Sequence, residues 1–104
     1  MSSSFEPVER LDGKVVLITG GTGAIGLACA NRLAKLGARC VLFYHREAAD
    51  AAQAKANALP GQGHMAWQLQ VTDSASLKAA AAEVTNRYGR ADVLINSAGY
   101  TQPI

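Results

Sequence analysis

The stretch that decides the fold reads Val15-Val16-Leu17-Ile18-Thr19-Gly20-Gly21-Thr22-Gly23-Ala24-Ile25-Gly26. Its β-branched and apolar first part predicts a strand, and its glycine-rich second part predicts a tight turn that leads into a helix. The first N–H groups of a helix have no partner inside it, and with the positive end of the helix dipole they attract a phosphate. Glycines let a pyrophosphate approach that backbone closely. The stretch therefore predicts a turn that binds a dinucleotide.

Strand-like and helix-like segments alternate outward from this stretch. Strands are predicted at 14–19, 39–44, 65–71 and 91–96, and helices at 25–36, 48–59 and between the capping residues 72–74 and Gly89. The order β-α-β-α-β-α-β favours an α/β fold, a partial Rossmann-like, doubly wound parallel sheet with strand order 3-2-1-4. Ligands of such sheets bind where the strand order reverses, here between strands 1 and 4.

Apolar stripes at helical spacing predict which helix faces are buried. The stripe of the first helix is Ile25, Cys29, Leu33 and Leu36, and that of the third is Leu77, Ala81, Val84 and Tyr88. We assign no role to His64, and we interpret Asp73 and Asp92 as caps of a helix and a strand. Residues 1–12 are predicted to be a polar tail, and residues 13–104 the dinucleotide-binding domain.

Composition narrows the function classes. An apolar content of 49% with 17% charged residues suits a globular domain. The net charge of +2, without a Lys/Arg cluster, argues against a nucleic-acid surface. No apolar run reaches membrane-spanning length, and Cys29 and Cys40 lack metal-ligand spacing, so no membrane or metal role is expected. We interpret both cysteines as buried or half-buried thiols of a cytoplasmic protein.

Two motifs carry a family resemblance. Residues 19–26, TGGTGAIG, followed by Asn96-Ser97-Ala98-Gly99, make the chain similar to the short-chain dehydrogenase/reductase superfamily. Compact members of that family have T-G-x-x-x-G-x-G and later N-N-A-G, and the resemblance runs from Leu11 to about Gln102.

The chain departs from the compact pattern at two positions. Ala24 stands in place of the middle glycine, and Ser97 in place of the second asparagine. With Gly23, the turn also fits T-G-x-x-G-x-x-G of extended members such as sugar-nucleotide epimerases. The N-x-A-G sequence and the short spacing between elements favour the compact group.

The end of the second strand bears on the choice of cofactor. An NAD site needs an acid about twenty residues past the glycines, to accept the ribose 2′-hydroxyl. Tyr44-His45-Arg46 stands there, and the first acid, Glu47, comes later. Arg46 can pair with a 2′-phosphate, and related family members with this tripeptide resemble NADP(H) users such as pteridine reductases. We expect NADP(H) rather than NAD(H); the alternative is that Arg46 is a solvated surface charge.

The resemblance implies further cofactor contacts. Gln70-Val71 stands where relatives often have Asp-Val beside the adenine, although Gln70 can equally be a surface residue. Asn96, Ala98 and Gly99 are expected along the ribose and nicotinamide half, with Asn96 alternatively a strand-end clamp. The expected contacts of the turn are Gly20, Gly21, Thr22, Gly23, Ala24, Ile25 and Gly26.

The catalytic residues that the resemblance implies are a Ser and a Tyr-x-x-x-Lys pair, helped by an Asn. None of the tyrosines of this chain has a lysine four residues later. We therefore expect the cofactor-binding half of an oxidoreductase acting on a small carbonyl or alcohol, homo-oligomeric when intact and inactive as residues 1–104 alone. Alternatives are a non-catalytic dinucleotide-binding module or sensor, an extended-type epimerase, and another Rossmann-like enzyme such as a methyltransferase.

Overall fold

A computed structural model describes residues 10–97, which form three helices and four strands. The elements in chain order are β1 (Val15–Thr19), α1 (Ala24–Lys35), β2 (Arg39–Tyr44), α2 (Ala49–Asn57), β3 (Met65–Gln68), α3 (Ser74–Tyr88) and β4 (Val93–Asn96). The predicted β-α-β-α-β-α-β order is therefore confirmed.

The four strands form one parallel sheet in the order β3-β2-β1-β4. This is the 3-2-1-4 order predicted from the alternation of strands and helices. The order reverses between β1 and β4, because β1 connects through α1 to β2 on one side and pairs with β4 on the other.

Helices cover both faces of the sheet. One core cluster joins Val16 and Ile18 of β1 to the small residues of α1 and to Ala56 of α2. The other joins α3 to residues of β1, β2 and β3, namely Val15, Val41, Phe43 and Met65. Neighbouring residues of β1 thus enter opposite cores, which explains why the strand is apolar without alternation.

The buried face of α1 differs from the predicted stripe. Gly26, Ala30 and Ala34 are the buried residues of this helix, while Ile25 is 73% exposed and Cys29 only partly buried. Small side chains let the helix axis come close to the sheet, so the glycine and the alanines occupy the contact. The larger apolar residues lie on its flanks.

The stripe predicted for α3 is only partly correct. Val84 is buried with Ala80, and Tyr88 is half-buried, but Leu77 is 43% exposed and Ala81 is exposed. Leu77 and Ala81 line an apolar cavity of about 720 Å³ between α3 and the β1–β4 side of the sheet. The stripe faces the sheet, but its N-terminal end borders this cavity and remains exposed.

The ends of several elements follow their predicted caps. Asp73 accepts a hydrogen bond from the Ala75 N–H at the start of α3, and Gly89 ends that helix with φ of 77°. Asp92 accepts from the Val15 N–H at 2.8 Å and pairs with Arg90. Hydrogen bonding from Arg90, and then from that N–H, holds the pKa of Asp92 below its usual value. β3 and β4 are shorter than predicted.

His64 has a structural role that the sequence interpretation missed. It is buried, its Nδ1 accepts a hydrogen bond from the Cys40 N–H at 3.0 Å, and its Nε2 lies 2.6 Å from the Pro60 carbonyl oxygen. An imidazole protonated at Nε2 satisfies both contacts. His64 therefore joins the loop after α2 to the start of β2.

Cys40 is a buried thiol, and burial raises its pKa to about 11. Within residues 10–97, no three His, Cys, Asp or Glu side chains are grouped as metal ligands, and no helix is both long and apolar enough to cross a membrane.

Candidate functional site

The carboxyl ends of all four strands lie at one edge of the sheet. Thr19 at the end of β1 is in register with Phe43 of β2 and with Asn96, the last residue of β4. Tyr44 is in register with Gln68, the last residue of β3. The loops that follow these strands are therefore neighbours, and every site residue predicted within residues 10–97 lies in one of them, at a strand end or in the first turn of α1.

Two glycines allow the turn to pack closely against the sheet. Gly20 has φ of 65°, which is a left-handed conformation that residues with a Cβ rarely adopt. A Cβ on Gly21 would lie 2.8 Å from the Leu42 Cα, and the Gly21 N–H donates to the Phe43 carbonyl at 3.1 Å. The turn therefore lies directly against β2.

Gly26 permits a second close contact, between α1 and the turn. A Cβ there would collide with the Gly20 carbonyl oxygen and lie 2.7 Å from Ser97 Oγ. The first turn of α1 is thus held against the end of β1 and the residue that follows β4.

The N-terminus of α1 is open. Gly23 is its N-cap with φ of −80° and ψ of 173°. Within residues 10–97 no side chain caps the helix, and no acidic residue lies in its first turn. The nearest described atom to a Cβ on Gly23 would be the Gly20 carbonyl oxygen, at 3.4 Å. Neither its φ nor a protein contact requires a glycine there, whereas close approach of a ligand to the helix N-terminus would.

The end of β4 is fastened to the end of β1 by side chains. The Thr19 hydroxyl donates to Asn96 Oδ1 at 2.7 Å, and the Ser97 hydroxyl donates to the Thr19 carbonyl at 2.6 Å. Sequence reasoning named Asn96 but missed Thr19 and Ser97 as parts of this connection. The available signal was Thr19 at the head of the first motif and Ser97 inside the second.

The loop after β2 is on the same edge as the glycine turn. Tyr44 is partly buried, while His45 and Arg46 are exposed. The His45 carbonyl accepts a hydrogen bond from Gln68 Nε2 at 3.0 Å, which joins this loop to β3. Among the described residues, Arg46 has no acidic partner within ion-pair distance, so its guanidinium is available to an anionic ligand.

Two further residues that were predicted to contact the cofactor lie in the loop after β3. Gln70 and Val71 are both exposed, and they follow the end of the strand at Gln68 rather than belonging to it. The Gln70 N–H donates to Ser76 Oγ at 2.9 Å. Ala98 and Gly99 lie outside the described residues.

Comparison with known proteins identifies the family of this chain. A family model described as short chain dehydrogenase matches residues 14–104. The chain belongs to the short-chain dehydrogenase family. The resemblance noted from the glycine turn and the N-x-A-G segment is thereby confirmed, and membership implies a nicotinamide dinucleotide as the cofactor.

Several curated short-chain dehydrogenases are similar to the chain. D-threitol dehydrogenase of Mycolicibacterium smegmatis is 43% identical over 91 residues, covering 86% of this chain and 35% of that protein. A 3-oxoacyl-[acyl-carrier-protein] reductase of Thermotoga maritima is 39% identical over 89% of this chain and 38% of its own length. Galactitol 2-dehydrogenase of Rhizobium johnstonii is 39% identical over 95% of this chain and 38% of its own. The chain thus spans little more than a third of each relative.

Proposed function

We propose that the chain is the cofactor-binding part of an NADP(H)-dependent oxidoreductase that interconverts a carbonyl and an alcohol. The observation that carries the proposal is the open N-terminus of α1 behind Gly23, at the sheet edge that also holds Arg46. A dinucleotide needs an anion site for its pyrophosphate and, when it is NADP(H), a cation for its 2′-phosphate. The first need is met by the helix N-terminus and the second by Arg46.

The proposal assigns a role to each loop of the edge. The glycine turn and the first turn of α1 bind the pyrophosphate, through residues 20–26. Tyr44, His45 and Arg46 surround the adenosine ribose, and Gln70 and Val71 lie towards the adenine. Asn96, Ala98 and Gly99 lie along the ribose and nicotinamide half.

The chemistry that a bound nicotinamide supplies is hydride transfer to or from a carbon that carries oxygen. In the proposal, residues 13–104 form a binding domain that holds and orients this cofactor. The proposal assigns no general acid and no substrate pocket to residues 1–104, so these residues alone are expected to be inactive.

The relatives narrow the substrate class that we propose. Two of them are named for the polyols threitol and galactitol and one for a 3-oxoacyl group on acyl-carrier-protein. All three contain a secondary alcohol or a ketone, and we propose a substrate of that kind. Incubating the protein as its gene encodes it with NADPH or NADP⁺ and a panel of ketoses, polyols and 3-oxoacyl thioesters, while following NADPH absorbance, tests this. If no member of the panel is turned over, the proposed reaction is wrong.

Cofactor preference is tested by titrating the protein with NADPH and NADH. One charge-assisted hydrogen bond contributes about 1.5–3 kcal/mol, so NADPH should bind about ten- to a hundredfold more tightly. Arg46→Ala should reduce this preference to less than about threefold, because the 2′-phosphate loses its cation.

The matched control for that experiment is Arg32→Ala, which removes the same charge from an exposed position in the last turn of α1. It should leave both affinities unchanged. Equal affinities of the unaltered protein for NADPH and NADH, or equal effects of the two substitutions, would contradict the assignment of Arg46.

We also propose a cytoplasmic location and a homo-oligomeric intact enzyme. The location is supported by the two free thiols, Cys29 and Cys40, which persist in a reducing compartment. The oligomer is supported by the exposed apolar residues Val71, Leu77, Val93 and Leu94, which a larger assembly can cover.

A further inference from the structure

An ion pair beside the glycine turn joins three segments of the chain. Lys55 of α2 has its Nζ 2.8 Å from Oε2 of Glu47, a residue of the loop between β2 and α2. The same Nζ donates to the Thr22 carbonyl oxygen at 3.1 Å, across 33 positions of sequence. The glycine turn, the loop after β2 and α2 therefore meet at one ammonium group.

Glu47 is the more sheltered member of the pair. Its side chain is 24% exposed, against 40% for Lys55. Hydrogen bonding from Lys55, and then from the Thr22 side chain, holds the pKa of Glu47 below its usual value. The carboxylate is thus ionised at neutral pH, with its charge compensated by Lys55 and its oxygens engaged by Lys55 and Thr22.

The position of Glu47 makes this arrangement relevant to cofactor choice. Glu47 is the first acid after β2 and the direct neighbour of Arg46. An unpaired carboxylate near the end of this strand would accept the 2′-hydroxyl of NAD(H) and repel the 2′-phosphate of NADP(H). Whether Glu47 is paired or released therefore bears on which of the two cofactors the site would favour.

We propose that Lys55 determines cofactor specificity through Glu47, by holding that carboxylate on the glycine turn and away from the ribose 2′ position. The inference rests on the proposed function, because it concerns the same cofactor site. Lys55 is a positioning residue in this proposal: it acts on the cofactor through Glu47 and not by contact with the 2′-phosphate.

The direct test is Lys55→Met, measured as the dissociation constants of NADPH and NADH for the protein as its gene encodes it. Releasing Glu47 beside the 2′-phosphate should weaken NADPH binding about tenfold, the effect of about one charged interaction, and should leave NADH unchanged or tighter. Lys55→Arg keeps the positive charge and should retain most of the preference.

A double variant separates the proposal from direct contact between Lys55 and the phosphate. In Glu47→Gln/Lys55→Met the released carboxylate is absent, so the ratio of the two dissociation constants should return to within about threefold of its original value. If Lys55 instead bound the 2′-phosphate itself, the double variant would stay as weak for NADPH as Lys55→Met. That outcome would overturn the proposal.

The matched control is Lys78→Met, which removes the same charge from an exposed position on α3. It should not alter the ratio, and an equal shift in Lys55→Met and Lys78→Met would reduce the effect to net charge and overturn the proposal. Thermal unfolding of each variant, followed by circular dichroism, checks that a lost preference is not lost folding.

The proposal and the function on which it rests fail in different ways. Preference for NADPH is read from the ratio in the unaltered protein, whereas the role of Lys55 is read from the change in that ratio on substitution. A protein that prefers NADPH, and whose ratio is the same in Lys55→Met, would contradict only the role of Lys55. A protein without the preference, in which Lys55→Met still shifts the ratio towards NADH, would contradict only the cofactor assignment.

Discussion

The glycines of the turn have different physical reasons to be glycine. Gly20 needs its left-handed φ, and Gly26 leaves no room for a Cβ beside the Gly20 carbonyl oxygen. Gly23 has neither constraint, since its φ is −80° and its surroundings are open. Two of these residues are therefore required by the fold, while the third is best explained by a ligand that approaches the helix N-terminus.

This distinction predicts opposite effects of two alanine substitutions. Gly26→Ala should lower the free energy of unfolding by about 2 kcal/mol, because overpacking against backbone outweighs the helix propensity that alanine adds. Gly23→Ala should change it by less than about 1 kcal/mol but weaken NADPH binding at least about tenfold, because a methyl group occupies the approach to the backbone N–H groups. Urea unfolding and NADPH titration measure the two effects.

Each variant is the control of the other, since both add one methyl group within the same turn. NADPH affinity unchanged in Gly23→Ala would contradict the role of that glycine in binding. A Gly26→Ala protein as stable as the original would mean that α1 can shift away from the Gly20 carbonyl at little cost.

At the scale of residues, the sequence predicted the structure of the turn, which depends on local residues, and missed contacts between residues that are distant in sequence. The glycine spacing is a local pattern, so it identified the turn correctly. The contacts of Thr19 with Asn96 and of Lys55 with Thr22 join residues far apart in sequence, so no sequence spacing predicts them. His64 was missed for the same reason, because its partner Cys40 lies on another element.

At the scale of elements, α1 shows why the most hydrophobic stripe is not always the buried one. Its large apolar residues form one stripe, but the residues buried against the sheet are Gly26, Ala30 and Ala34, because small side chains allow close packing. Small residues contribute little to a hydrophobic pattern, so periodicity alone could not identify this face. The existence of the helix and its end before Gly37 were predictable, since both depend on local signals.

The corrected face of α1 gives a prediction about stability. Ala30 is fully buried against the sheet, and its carbonyl oxygen lies 3.6 Å from Cys40 Sγ. Ala30→Leu should therefore lower the free energy of unfolding by about 1–3 kcal/mol through overpacking. Ile25→Ala, in the stripe predicted from sequence but 73% exposed, should change it by less than about 0.5 kcal/mol.

Urea unfolding of both variants distinguishes the two faces. If Ile25→Ala were the more destabilising substitution, the stripe predicted from sequence would be the buried face after all. Equal and small effects would mean that α1 adjusts its distance from the sheet.

At the scale of the whole molecule, the strand order was predictable because few topologies satisfy alternating strands and helices with right-handed crossovers. The exposed side of the sheet was not predictable from the sequence. The apolar pattern of α3 shows which of its residues are hydrophobic, but it does not show which residues cover them. Leu77 lines the cavity beneath α3, and Leu94 of β4 lines the same cavity while remaining 66% exposed. The apolar surface of the described residues is therefore concentrated on the β4 side.

This concentration predicts how residues 1–104 behave when they are produced on their own. β4 lies at one end of the described strand order, and its unpaired backbone groups and the exposed Val93 and Leu94 form an edge that favours pairing with another chain. We expect association that increases with protein concentration, measured by sedimentation velocity. Leu94→Lys should reduce it, because a charged side chain opposes edge-to-edge contact.

The matched control is Ile25→Lys, which makes the same change at an even more exposed apolar residue on the α1 side of the sheet. Because Ile25 belongs to α1 and not to the sheet edge, its substitution should leave the association unchanged, which separates a specific edge from general hydrophobicity. Equal reduction by both substitutions would contradict a role for β4. A residue 1–104 fragment that is monomeric at every concentration and unfolds cooperatively would contradict the prediction that β4 associates through its exposed edge, because that apolar edge would then be stable in water.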